Sequence, residues 1–265
     1  GEYYLERSAL RESADDTSAA LADLERARTL LPENPRWALA TARIEESRDR
    51  PPAALQALCA FIELVGPEAE VLKARARLYA ASGEFLMARD DFTRALELAP
   101  RDVEALLGRA RSYLRLLDSP LAKKDLDEAT LLDQKNADLH SLMGEVLEGR
   151  GSYPDAMAAY TRALEIDPDH LGALRRRAWL AQEVSADVSR TFQDLSRAHA
   201  LAPNDAPTGR SLAGLCLTLG RYDEAIDFLA NNQFHVREGG GEIHDVYVDG
   251  HLLRGLRHLK KGESK

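Results

Sequence analysis

The sequence predicts an all-α fold, specifically a right-handed α-α superhelical solenoid. Small residues recur at a spacing of 34 residues, at Ala20, Ala54, Ala88, Ala122 and Ala156. Prolines fall in the same register, at Pro32, Pro100 and Pro168. Aromatic residues make up only 6% of the chain, and no strand-like run of β-branched residues interrupts the pattern. A fixed period of this kind predicts a stack of similar repeats, since each repeat buries its apolar face only against its neighbours.

The first helix of each repeat is clearest in residues 69–102. Leu72, Ala76 and Tyr79 follow one another at intervals of four and three residues, so they form one apolar stripe of a helix. Gly83 stands where this helix is expected to end, because glycine tolerates the left-handed cap conformation.

A second helix follows in the same repeat. Ala88, Phe92 and Ala95 form its apolar stripe, and Pro100 ends it because proline cannot continue a helix. Alanine at the closest approach lets the two helices pack tightly. Position by position, this pattern resembles the tetratricopeptide repeat.

Laid on that repeat, the chain divides into seven repeats, which we number 1 to 7: residues 1–34, 35–68, 69–102, 103–136, 137–170, 171–205 and 206–239. Repeat 6 slips by one residue within 185–189. The remaining residues, 240–265, are expected to form a connection and the first helix of an incomplete eighth repeat. The chain begins without methionine, so we expect a fragment of a longer protein.

Composition excludes several classes of partner. The net charge of −9 argues against general affinity for nucleic acid or anionic membranes. No window of about 18 uninterrupted apolar residues predicts a membrane span. Cys59 and Cys216 lie too far apart in a solenoid to form a disulfide, which favours a reducing compartment. We expect a cytoplasmic protein, with a periplasmic location as the alternative.

Residues with catalytic or metal-binding chemistry are scarce. His244, His251 and His258 recur every seven residues, but two helical turns separate neighbours by roughly 10.5 Å, which is too far to share one zinc ion. The glycine-rich segment 237–242 lacks the preceding strand and following lysine of a phosphate loop. We therefore expect no active site, no metal and no cofactor, and a free-standing enzyme is the least favoured class.

The resemblance to tetratricopeptide repeats implies that first helices line a concave groove that faces a ligand. It implies groove-facing side chains at the second, fifth, sixth, ninth, twelfth and thirteenth positions of each repeat. The ninth position holds Arg43, Arg77 and Arg111 in repeats 2 to 4, then Trp179 in repeat 6. Lys73, Arg175 and Arg176 occupy the fifth or sixth position. These seven residues are the candidate ligand-binding set, because arginine binds carboxylates through two hydrogen bonds.

A structural role is the alternative for the same arginines. Glu45, Glu46, Glu70 and Glu104 lie on neighbouring positions and could pair with them across adjacent repeats, contributing about 0–1 kcal/mol for each exposed pair. Trp179, which is close to Arg177, could likewise pack within a helix interface. The sequence leaves both alternatives open.

Chaperone-binding members of the family use a two-carboxylate clamp of lysine, asparagine and arginine side chains across three repeats. The groove positions of this chain hold no asparagine. Binding to the tails of heat-shock chaperones is therefore not predicted.

The C-terminal segment carries a second, narrower resemblance. Residues 234–256 are similar to a segment of large bacterial proteins that carry a β-sandwich domain of the sugar-mutarotase type. This resemblance implies an alternative function, a non-catalytic helical arm of a carbohydrate-related enzyme that serves assembly. Leu252, Leu256 and Leu259 would leave an apolar face uncovered, so a homodimer through residues 248–262 is also expected.

The functional expectation is a scaffold that binds a protein or peptide segment, acidic in character, in the concave groove. The arginines would set its electrostatic register, and Trp179 would provide an apolar anchor.

Overall fold

The computed structural model describes residues 1–185 and 187–231. All regular structure within these residues is helical. The α-helices are α1 (Glu2–Ser13), α2 (Thr17–Leu30), α3 (Arg36–Ser47), α4 (Pro51–Leu64), α5 (Ala69–Ala81), α6 (Phe85–Leu98), α7 (Val103–Arg115), α8 (Ser119–Leu132), α9 (Ala137–Gly149), α10 (Tyr153–Ile166), α11 (Leu171–Leu180), α12 (Val188–Leu201), α13 (Ala206–Thr218) and α14 (Tyr222–Asn231). The predicted all-α fold of tandem helix pairs is confirmed.

The recurring small residues lie where the two helices of a repeat meet. Ala20, Ala54, Ala88, Ala122 and Ala156 have no solvent-exposed surface. In repeat 5 the helices approach so closely that a Cβ atom on Gly144 would lie 2.5 Å from Cε1 of Tyr160. Residue size at these contacts therefore fixes the helix separation within each repeat.

In most repeats the turn between the two helices has the same backbone conformation. The residue at the fifteenth position has a positive φ in repeats 1 to 5, at Asp15, Asp49, Gly83, Leu117 and Gly151. Gly83 confirms the expectation for repeat 3, but Leu117 holds the same left-handed conformation, with a φ of 61°. A leucine there is strained, because its Cβ crowds the backbone.

Side-chain caps begin most of the first helices. Asp102 accepts a hydrogen bond from the Ala105 amide at 3.0 Å, and Asn136 accepts one from Leu139 at 3.2 Å. Such caps satisfy amide groups that a helix start leaves without an intrahelical partner. These capping residues stand at the last position of the preceding repeat, so the repeat period also sets where the first helices begin.

The one-residue slip in repeat 6 takes the form of a π-helical turn. Residues Ala181–Ser185 extend α11 in this conformation, and α12 then begins at Val188. A π-helical turn absorbs one extra residue inside a helix. The sequence places the slip slightly later, within 185–189, where the apolar pattern of the repeat moves by one residue.

The chain forms two compact units, which divide after Gln134. In the N-terminal unit, second helices pack on the first helix that follows, α2 on α3, α4 on α5 and α6 on α7. First helices also touch one another, α1 with α3, α3 with α5 and α5 with α7. The C-terminal unit repeats the first pattern through α10 with α11 and α12 with α13.

Within the described part of the chain, no helix combines the length and the apolarity that a bilayer crossing requires. Several predictions concern residues outside the described ones and stay predictions. They are the eighth repeat and connection in 240–265, the homodimer through 248–262, the histidines at 244, 251 and 258, the segment 237–242 and the resemblance over 234–256.

Candidate functional site

The candidate site of the N-terminal unit is the surface formed by its first helices, which we call the first-helix face. Arg43, Arg77 and Arg111 all lie on this face with exposed side chains. Arg43 belongs to α3, Arg77 to α5 and Arg111 to α7, so each helix contributes one guanidinium group. The structure therefore places the predicted arginines on successive helices.

Arg43 pairs with a carboxylate of the preceding repeat. Its Nε and Nη2 atoms lie 2.9 and 2.5 Å from the two carboxylate oxygens of Glu12. Glu12 is not among the carboxylates that the sequence offered as partners, and Glu45, which is among them, contacts Arg48 and Arg50 at 3.4 and 4.0 Å. Pairing across repeats is thus real, although its partner differs from the one expected.

Lys73 and Arg77 share one carboxylate from the next repeat. The Lys73 ammonium lies 3.0 Å from Oε2 of Glu104, and Arg77 donates to Oε1 of the same residue. Lys73 also contacts Asp102 at 2.7 Å and Glu70 at 2.9 Å. The structure therefore brings two of the predicted residues together around one anion.

Burial and ion pairing shift the pKa values of this cluster in opposite directions. Burial lowers the pKa of Lys73, but the hydrogen bonds to Asp102, Glu70 and Glu104 outweigh burial and leave that pKa raised. For Asp102 and Glu104, burial raises the pKa, whereas Lys73 lowers it and prevails. All these groups are consequently charged at neutral pH.

In the C-terminal unit, Arg175, Arg176 and Trp179 all lie on α11. Arg175 contacts Asp205, the last residue of its own repeat, at 3.1 Å. Arg176 contacts Glu148 at 2.9 Å and Glu145 at 3.5 Å, in the preceding repeat.

Trp179 is half-exposed on the same helix, with 46% of its surface accessible. Its large apolar surface is therefore available to a partner, as an anchor residue requires.

Another set of arginines, which the sequence analysis missed, lies inside the repeats. An arginine at the seventh position binds an aspartate of the second helix through two hydrogen bonds of 2.6–2.8 Å. We call each such pair a repeat clamp. The four clamps are Arg7–Asp23, Arg75–Asp91, Arg109–Asp125 and Arg177–Asp194. The signal was present in the sequence as an arginine followed by an aspartate 16 or 17 residues later.

Repeats without a clamp lack both of its members. Repeat 2 has Thr41 and Ala57 at the two positions, and repeat 5 has Met143 and Ala159. Losing one member alone would leave a buried charge without its partner, which is far more costly than losing both.

His170 has a structural role as a helix cap. His170 begins α11, because its Nδ1 accepts a hydrogen bond from the Ala173 amide at 3.0 Å. Its Nε2 faces Asp138 at 3.3 Å, and this hydrogen bond raises the pKa of His170. Cys59 and Cys216 are free thiols. Across residues 1–185 and 187–231, no group of three or more His, Cys, Asp or Glu side chains could hold a metal ion.

Comparisons with known proteins agree with this architecture. Models of the tetratricopeptide repeat family match residues 69–102 and 107–170. The chain is 25% identical over 135 residues to the small glutamine-rich tetratricopeptide repeat-containing protein 2 of Mycosarcoma maydis, covering 51% of this chain and 38% of that protein. It is 30% identical over 101 residues to the heat-shock protein cognate co-chaperone sgt12 of Aspergillus fumigatus, covering 38% of this chain and 30% of that protein. The chain thus spans less than half the length of these relatives.

Solved structures share the fold at low sequence identity. A tetratricopeptide repeat protein from Parabacteroides merdae superposes with a TM-score of 0.72 at 19% identity, covering 94% of this chain and 98% of that one. The anaphase-promoting complex assembly Cut9–Hcn1 contains a chain that superposes with a TM-score of 0.74 at 15% identity, covering 88% of this chain and 48% of that one. The family matches, the relatives and the paired helices together identify tetratricopeptide repeats in this chain.

Proposed function

We propose that this chain is a protein-interaction scaffold that binds an extended, acidic segment of a partner protein along the first-helix face. The proposal assigns the chain a binding role and no catalytic step. One observation carries it, namely the contrast between two classes of arginine on the first helices. Arg43 and Arg77 are 65% and 57% exposed, whereas the clamp residues Arg75 and Arg109 are 13% and 18% exposed.

This contrast separates arginines that hold the fold from arginines that face solvent. In repeats 3 and 4 the repeat clamps already tie the two helices together, so Arg77 and Arg111 are not needed for that purpose. In repeat 2, which has no clamp, Arg43 pairs with Glu12 of the preceding repeat. An exposed ion pair contributes only about 0–1 kcal/mol to stability. Arg43, Arg77 and Arg111 are therefore available for recognition at little cost to the fold.

An acidic segment suits this face because arginine offers a planar pair of donors to each carboxylate. Lys73 is nearly buried, so its contribution is a fixed positive charge beneath the face. In the C-terminal unit, Arg175 and Arg176 would contact further carboxylates, and Trp179 would hold an apolar side chain. Arginine and tryptophan are the residues on which interface energy most often concentrates.

The names of the related proteins support a partner protein in general terms. One relative is named as a co-chaperone, and one structural neighbour was solved in a hetero-tetrameric complex. The groove positions of this chain nevertheless contain no asparagine, which is why the tail of a heat-shock chaperone is not the partner we propose.

The test is affinity capture from a lysate of the source cells, with bound proteins identified by mass spectrometry. The key variant replaces Arg43, Arg77 and Arg111 with alanine. The matched control replaces Arg26, Arg94 and Arg162, which are exposed residues at one repeated position of the second helices. Both variants lose three positive charges, so they differ only in the face from which the charges are removed.

We expect the partner to bind the unmodified chain and the control but not the first-helix variant. Its retention should fall with rising salt for the unmodified chain, because screening weakens electrostatic contacts. Equal capture by both variants, with equal salt dependence, would refute the first-helix face as the binding surface.

A further inference from the structure

The carboxylate of Glu104 occupies the position that an acidic ligand would need. Lys73 and Arg77 lie one helical turn apart on α5, and both donate to this single group from α7. Lys73 contacts one carboxylate oxygen and Arg77 the other. The chain therefore supplies its own anion to a two-point cationic site.

Glu104 differs from Asp102, which also contacts Lys73, in its freedom to turn away from the cluster. Its side chain is 50% exposed, whereas that of Lys73 is 5% exposed. Asp102 is held in place because it also caps α7 through the Ala105 amide. If Glu104 turned into solvent, Lys73 would still contact Asp102 and Glu70 at 2.7 and 2.9 Å. Its departure would leave no buried charge without a partner.

A related ion pair occurs one repeat earlier, at Arg43. Arg43 is satisfied by the Glu12 carboxylate, which comes from the adjacent first helix α1. Two exposed arginines of the first-helix face are thus neutralised by glutamates from neighbouring helices.

We propose that Glu104 is a specificity-determining residue that competes with the partner for Lys73 and Arg77. This inference rests on the proposed function, since it takes the first-helix face as the binding surface. When a carboxylate of the partner replaces that of Glu104 at the same cations, one ion pair is lost for the one that forms, so little binding free energy is gained. A partner must therefore engage several arginines at once, so that each contact raises the effective concentration of the next. The ligand selected is a run of neighbouring acidic side chains, and an isolated carboxylate is rejected.

The experiment uses a fluorescently labelled deca-glutamate peptide as the probe and deca-glutamine as the uncharged comparison. Binding is followed by fluorescence anisotropy for the unmodified chain and for Glu104→Gln. The matched control is Glu97→Gln, because Glu97 is exposed on α6, the second helix of repeat 3. Both substitutions remove one negative charge. Thermal unfolding of each variant verifies that the fold is retained, and Glu12→Gln provides a second test at Arg43.

We expect Glu104→Gln to bind deca-glutamate about two- to five-fold more tightly, which is the range that corresponds to the loss of one exposed ion pair. Glu97→Gln should leave the affinity unchanged, and the gain should vanish when Arg77→Ala is added to Glu104→Gln. Equal gains in the Glu104 and Glu97 variants would overturn the inference, because they would reflect net charge alone. Unchanged or weaker binding by Glu104→Gln would also overturn it, as would a failure of deca-glutamate to bind at all.

The two proposals fail in different ways. If the triple arginine variant loses its partner but Glu104→Gln binds the probe no more tightly, the first-helix face stands and the competing role of Glu104 falls. If the triple variant keeps its partner, the proposed function itself fails.

Discussion

Arg75 and Asp91 join the two helices of repeat 3 through two hydrogen bonds, with Nε and Nη2 lying 2.7 and 2.8 Å from the two carboxylate oxygens. Both side chains are nearly buried. The pair therefore depends on its own geometry, because water cannot replace either member.

Breaking this clamp from one side should be much more harmful than removing it. We expect Asp91→Ala to lower the free energy of unfolding by about 3–5 kcal/mol, because it leaves a buried guanidinium group without its carboxylate. The double variant Arg75→Met with Asp91→Ala copies the residues of repeat 5 and should regain most of this loss. Urea unfolding followed by circular dichroism measures both values. A double variant as unstable as the single one would contradict the explanation.

The left-handed conformation of Leu117 should make a substitution there stabilising. Leu117 is 89% exposed, so removing its side chain sacrifices little packing. We expect Leu117→Gly to raise the free energy of unfolding by up to about 1 kcal/mol, because glycine adopts a positive φ without strain.

The reverse substitution is Gly151→Ala, at a φ of 74° in repeat 5, and it should lower stability. Leu131→Ala removes an equally exposed leucine from a regular helix and should change stability little. If Leu117→Gly lowers the melting temperature, strain at this position is not the controlling factor.

Two glycines inside first helices should respond to alanine in opposite directions. A methyl group on Gly144 would overlap the ring of Tyr160, whereas nothing lies within 4 Å of the corresponding point on Gly214. We expect Gly144→Ala to cost about 1–3 kcal/mol through overpacking. Gly214→Ala should gain up to about 1 kcal/mol from helix propensity. Melting temperatures of the two variants give the comparison directly, and a shift of the same sign in both would disprove it.

Acid should destabilise the N-terminal unit through Asp23. The hydrogen bonds from Arg7 lower the pKa of Asp23 and outweigh burial, which raises it. In the unfolded chain this carboxyl group has a pKa of about 3.9, so the unfolded state takes up the proton first as the pH falls. The stabilisation is therefore complete above about pH 5 and is lost as the pH falls through the unfolded value toward the lower folded one.

Urea unfolding between pH 6 and pH 3 tests this expectation. The unmodified chain should lose stability more steeply than Asp23→Asn, which has no carboxyl group to protonate at this position. Identical pH dependence in the two proteins would show that other groups control the acid sensitivity.

The sequence revealed the helix pairs because their determinants are local. Alanine at the helix contact and proline after the second helix depend only on the repeat in which they occur. The π-helical turn in 181–185 was placed less well, since its extra residue is absorbed within a helix and leaves no glycine or proline as a signal.

The site was harder to anticipate because its contacts cross repeats. Lys73, for example, contacts Glu104 of the next repeat as well as Asp102 at the end of its own. Groove positions are recognised by comparing equivalent residues of successive repeats. The repeat clamps are recognised only when an arginine is paired with the aspartate that follows it 16 or 17 residues later.

The repeat clamps also restrict the order in which repeats can follow one another. The remaining nitrogen of the clamp arginine, Nη1, donates to the second helix of the preceding repeat: Arg75 to Cys59 at 3.4 Å, Arg109 to Thr93 at 3.4 Å and Arg177 to Thr161 at 3.3 Å. Each donor is thus matched by a thiol or hydroxyl group one repeat upstream.

Repeat 7 has Leu212 where the clamp arginine would stand, and the buried hydroxyl of Ser196, one repeat earlier, has no hydrogen-bond partner in the described part of the chain. Repeats of this protein are consequently not interchangeable modules. If a clamp-bearing repeat were duplicated or moved, its arginine Nη1 would keep a hydrogen-bond acceptor only where the preceding repeat supplies a thiol or hydroxyl group. The clamp contacts therefore limit which repeat can precede which.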